Sequence, residues 1–127
     1  MDISEILEEV VRSLPNRVYL HRQHDISDDE AFIVELGSAD VNTEFSGLDR
    51  RTACTHIEYT IYVSYRSRVH PEDMIRQVVD AHATIIESLR SIHTEKLTLQ
   101  SLDEPEVGIG DAYFVEARTE WLFRVDV

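Results

Sequence analysis

Residues 53–66 read Ala-Cys-Thr-His-Ile-Glu-Tyr-Thr-Ile-Tyr-Val-Ser-Tyr-Arg. Ala53, Thr55, Ile57, Tyr59, Ile61, Val63 and Tyr65 fall on one side of an extended chain. Cys54, His56, Glu58, Thr60, Tyr62, Ser64 and Arg66 fall on the other. Successive side chains of a strand point to opposite faces, so this alternation predicts a strand with one face against a core. Its other face is wet or lined by a partner.

The rest of the chain is read outward from that strand. Downstream, Pro71 to Ile92 carries Met74, Ile75, Val78, Val79, His82, Ile85, Ile86 and Leu89 at helical spacing. Pro71 suits the first helical position, and Glu72 and Asp73 complement the helix dipole. Ile57, Tyr59, Ile61 and Val63 should therefore pack on Val78, Ile85 and Leu89. Lys96 to Leu102 reads as a strand. Asp103 to Asp111 contains Pro105, Gly108 and Gly110 and is expected to turn. The last strand spans Ala112 to Val127. Tyr113, Val115, Ala117, Trp121, Phe123 and Val125 form its core face, and Glu116, Arg118, Glu120, Arg124 and Asp126 most of the other.

Upstream, Gly37 to Arg51 is polar and long for a connection, but Val41, Thr43 and Phe45 alternate, so it reads as a long hairpin or a mobile arm. Ala31 to Leu36 is a strand, His24 to Glu30 an acidic loop and Arg17 to Gln23 a short strand. Asp2 to Leu14 is an amphipathic helix with Ile3, Ile6, Leu7, Val10, Val11 and Leu14 on one stripe. Asp2 and Glu5 resemble a capping box, and Pro15 stops the helix. The order α-β-β-β-α-β-β predicts an α+β fold with two helices on one face of a mostly antiparallel sheet. No repeat, linker or composition break interrupts it, so residues 1–127 read as one domain.

Charge narrows the functional classes. There are 25 acidic and 12 basic residues, for a net charge of −13. Such a chain repels phosphate backbones and anionic membranes, which argues against sequence-specific nucleic-acid binding and membrane association. Lys96 is the sole Lys, the other basic residues being Arg. The pattern fits either a high-salt host or a GC-rich genome with an acidic surface. The single Cys54 excludes an internal disulfide. No basic leader or long apolar run is present, so synthesis and assembly are expected in the cytoplasm.

Motifs for catalysis and cofactors are missing. Gly108-Ile109-Gly110 is too short for a phosphate loop. His21, His24 and His56 lack zinc-helix spacing, and His82 reads as a hydrogen-bonded, half-buried residue. Asp28-Asp29-Glu30 lacks the Gly turn of a hard-cation loop. Glu58, Glu116 and Glu120 could serve as paired carboxylates, yet Arg66, Arg118 and Arg124 share their face and can pair with them. No enzyme, cofactor or metal is expected. What stands out is the polar side of the two longest strands. Glu58, Tyr62, Arg66, Glu116, Arg118, Glu120 and Arg124 form the candidate site, a subunit interface or lumen surface, because Arg- and aromatic-bearing surfaces are enriched at interfaces.

The layout resembles the tail terminator and head–tail joining proteins of long-tailed phages and archaeal viruses. Ile3 to Leu14 matches their first helix, Thr55 to Val63 their central strand and Pro71 to Ile92 their long helix. Asp103-Glu104-Pro105 with Gly108 and then Phe114 to Val127 match the closing loop and strand. The resemblance implies a homo-oligomeric ring, commonly hexameric, between the tail tube protein and the head connector. DNA would only pass through such a ring. Six copies at −13 would carry about −78, and a negative lumen does not hold DNA. A neck or tail-completion protein of the same fold and a small α+β ligand-binding domain or enzyme are the alternatives.

Overall fold

The computed structural model describes residues 3–15, 17–20, 30–46, 51–92, 97–103, 106–109 and 113–126. The expectations for His21, His24, Asp28, Asp29, Lys96, Pro105 and Gly110, and for the side chains of Cys54 and Tyr113, lie outside what is described. The elements are α1 (Ile3–Ser13), β1 (Val18–Tyr19), β2 (Glu30–Ser46), β3 (Arg51–Arg68), α2 (Met74–Ser88), β4 (Leu97–Leu102), β5 (Glu106–Ile109) and β6 (Tyr113–Asp126). The chain is α+β, with a mixed, mostly antiparallel sheet ordered β1-β2-β3-β6-β4; β5 pairs with β6 as well. β3 and β4 both run antiparallel to β6, so α2 carries the chain over a strand position that β6 later fills.

Alternation builds the core. Phe32 and Val34 of β2, Ile61, Val63 and Tyr65 of β3, Ala117, Trp121 and Phe123 of β6 and Leu97 of β4 share one face. Ile6 and Val10 from α1 with Leu14 just past its end, and Ala81 and Ile85 from α2 with Leu89 at its C-cap, bury against that face in the same cluster. Both helices therefore cover one side of the sheet. Each of the Val, Leu, Ile and Phe side chains contributes about 1.5–3 kcal/mol on burial. Thr119 lies on the same face, where its hydroxyl accepts from Trp121 Nε1 at 2.7 Å and donates to the Val63 carbonyl at 2.9 Å. That chain of bonds makes a buried indole and a buried hydroxyl compatible with an apolar layer.

Several expectations need correction. Ile75 is 84% exposed and Val79 61% exposed, so the apolar stripe of α2 is narrower than its sequence suggests. The helix faces the core through Ala81 and Ile85, its C-cap Leu89 is buried beside them, and the turns at Pro71–Asp73 and Arg90–Ile92 are 3-10. Ile61, Val63, Ile85 and Leu89 do meet in the core, whereas Ile57 and Val78 are only half-buried. The expected turn at 103–111 contains β5, which pairs with Tyr113 to Glu116 of β6 as a hairpin. β1 covers Val18 and Tyr19 only and runs parallel to β2. His82 is half-buried as expected, but its Nε2 has no hydrogen-bond partner among the described residues. The polar side of the sheet is not uniformly wet either, since Ser64, Ala31 and Ile33 are fully buried.

Gly37 to Arg51 resolves into the hairpin alternative. β2 and β3 pair from Glu30↔Ser67 out to Ser46↔Arg51, with register shifts between Leu36 and Ala39 and between Asn42 and Thr43. β6 reaches only to His56↔Asp126, so the outer part of the hairpin extends past the sheet as an arm. Val41 on it is exposed.

Tyr65 gives this core a pH dependence. Its ring packs on Phe32 at 4.8 Å between centroids. Burial, and next the charge and hydrogen bond of Glu30, push its hydroxyl up from 10.0 to about 12. The folded state thus prefers neutral tyrosine more strongly than the unfolded chain does. The resulting stabilisation is complete below pH 10 and is lost as pH rises toward about 12. Denaturant midpoints should fall across that window and fall less in Tyr65→Phe. Equal alkaline losses in both proteins would show that Tyr65 is not the cause.

Candidate functional site

The site grows from the register of β3 against β6. Opposite one another stand Glu58 and Arg124, Tyr62 and Glu120, Ser64 and Arg118, and Arg66 and Glu116. All point away from the helices, because the residues between them form the core. The seven residues singled out from sequence are thereby brought onto one sheet face. Opposite charges sit across from each other at two of the four pairs, which favours this register by a few tenths to about 1 kcal/mol per pair.

Arg118 is the centre of the face. Its guanidinium lies 4.5 Å from the centroid of the Tyr62 ring. Its Nε donates to Asp103 Oδ2 at 2.6 Å. That hydrogen bond, and then the nearby charges of Asp103 and Glu35, raise the Arg118 pKa above its ordinary value against the opposing effect of burial. Ser101 Oγ lies 3.1 Å from both Asp103 Oδ1 and Glu120 Oε2, linking the end of β4 to β6. Arg66 stacks on Phe114 at 4.4 Å, with Arg68 at 5.6 Å from the same ring. Arg124 pairs along its own strand with Asp126 at 3.0 Å, and His56 Nε2 lies 3.1 Å from Glu58 Oε1.

These contacts hold the charges of the face in place. Glu58 faces Arg124, Glu120 faces Tyr62, and Glu116 lies between Arg66 and Glu106, so the three glutamates do not converge on one point. Among the described residues, no group of three or more His, Cys, Asp or Glu side chains could hold a metal ion. Among the described residues, no helix is long and apolar enough to cross a membrane. Asp103, Ser101 and Phe114 were not singled out from sequence. Phe114 could have been, from its parity with Glu116. Asp103 and Ser101 could not, because strand order places β4 beside β6.

Gly37 ties the arm to this face. A Cβ there would lie 2.7 Å from Tyr62 Cε2 and 3.3 Å from the Thr60 carbonyl oxygen. Gly37→Ala should push the Tyr62 ring off Arg118 and cost about 1 kcal/mol. Pairing it with Tyr62→Ala should cancel most of that cost in a double-mutant cycle. Additive losses would mean that the ring is not what the methyl meets.

A second feature lies on the helix side. Ser4, Leu7, Glu8, Val11 and Arg12 of α1, Leu20, and Val34 and Leu36 of β2 line an apolar groove of ≈ 560 Å³.

A scan against protein-family models and a search of curated proteins found no match to this chain.

Proposed function

We propose that the chain is a structural virion protein: a ring subunit that caps the tail tube, ends tail polymerisation and joins the tail to the head connector. The observation that carries this reading is the division of the sheet into two unlike faces. One face is sealed by both helices. The other presents Glu58, Tyr62, Arg66, Glu116, Arg118, Glu120 and Arg124 in fixed cross-strand positions along two long strands. A repeated subunit with such a face gives a ring one uniform charged wall, either lumenal or between subunits. The net charge of −13 suits a wall that DNA crosses without adhering. The hairpin arm supports contact with a neighbour or with the tube, since a two-stranded ribbon is marginal on its own.

Adding the purified protein to growing tail tubes tests this. It should bind at one tip and halt elongation, and the hairpin amides should gain hydrogen-exchange protection there. Elongation at an undiminished rate would overturn the reading. The groove beside α1 supports a second reading, a small α+β ligand-binding domain. A tightly held apolar ligand co-purifying with the protein would favour it.

A further inference from the structure

Among the described residues, the sheet has two edges at which no further strand pairs, and they match each other. At one edge, β1 pairs only with Phe32 and Ile33, and among the described residues no strand pairs with β2 beyond them on that side. At the other edge, β4 pairs with β6, and no described strand pairs with its outer side. A strand edge presents a row of main-chain donors and acceptors that can template another strand. We propose that successive copies join edge to edge, β4 of one copy pairing antiparallel with the stretch of β2 beyond Ile33 in the next, so that the sheet continues through the ring. This rests on the ring reading and names the contact that would build it.

Three observations select this pairing. The first is direction. From β2 through β3 and β6 to β4 every neighbour is antiparallel, so β2 and β4 run oppositely. A head-to-tail repeat therefore meets in an antiparallel junction without inverting a subunit.

The second is level. Leu99 is in row with Trp121, Ile61 and Leu36, and Leu102 with Thr119, Val63 and Val34. β4 thus stands at the same height as the stretch of β2 beyond Ile33. Leu36 is 50% exposed and Leu102 is 48% exposed. Both lie on the helix-covered face at opposite edges, and the junction buries them together. It also roofs the apolar groove beside Leu36.

The third is charge. β2 carries Glu30, Glu35, Asp40 and Glu44 and no basic residue, whereas Leu97–Leu102 carries no charge at all. Pairing β2 with a second β2 would set carboxylates near carboxylates, and like charges across strands are unfavourable. β4 avoids that. Two different patches per subunit generate a head-to-tail contact, which closes into a ring when the rotation allows.

The test is covalent capture. Leu36→Cys and Leu102→Cys are combined in a Cys54→Ser background and treated with a short bis-maleimide. The two positions lie at opposite edges of one sheet, so the reagent can join them only between copies. The expected result is a ladder of covalent multimers on a denaturing gel that ends at the ring number given by native mass spectrometry. Leu36→Cys alone should give almost no dimer. Thermal melts close to the parent's confirm that the variants fold, as both leucines are half exposed. Rings without a ladder, or an efficient dimer from Leu36→Cys alone, would overturn edge pairing and leave the ring reading standing. Neither rings nor ladder at the solubility limit would remove both.

Discussion

Ile61→Ala should destabilise the protein by about 2–5 kcal/mol. Ile61 is fully buried at the middle of β3, with Leu36 and Trp121 beside it on the two flanking strands. Ile85 of α2 and Leu89 at its C-cap belong to the same cluster. Truncation removes the transfer free energy of the lost carbons and leaves a cavity that strands paired on both sides cannot close. The effect is read as a drop in the denaturant midpoint with an unchanged slope. Thr60→Ala, one residue away on the opposite face, should cost far less. A cost below roughly half a kcal/mol for Ile61→Ala would mean that this face carries no core.

Arg118→Glu should abolish assembly while leaving the isolated subunit folded. Arg118 anchors the charged face through Asp103 and Tyr62. Its reversal places a carboxylate beside Asp103, with Glu35 near. The side chain is nearly half exposed, so water screens much of this repulsion, and the stability loss should stay at about 1–2 kcal/mol. A wall built from this face repeats the error in every copy, so attachment to the tube tip should be lost. Sedimentation before and after mixing with tail tubes separates the two effects. Wild-type assembly by Arg118→Glu would show that this face touches no partner and lines no wall that matters.

How much of this could be read from residues alone follows from what periodicity encodes. Alternation in 53–66 and 112–127 placed Glu58, Tyr62, Arg66, Glu116, Arg118, Glu120 and Arg124 on the non-core side of their strands, because a strand's period is two wherever it pairs. That the two strands lie side by side was not readable. β3 and β6 are separated in the chain by α2, β4 and β5, and neighbour choice depends on tertiary packing. The same gap hid Asp103, whose bond to Arg118 exists only because β4 flanks β6. Helical spacing overstated α2. Ile75 and Val79 fit the stripe, yet they are exposed, and the residues buried in the core are Ala81, Ile85 and Leu89. Gly108 suggested a turn, but an edge strand tolerates glycine, and β5 lies there.

The most direct measurement of the proposed role is electron microscopy of lysates from the virus with this gene removed. Overlong tails, or tails of any length left unjoined to heads, are the expected result. Tails of normal, defined length joined to filled heads would contradict it.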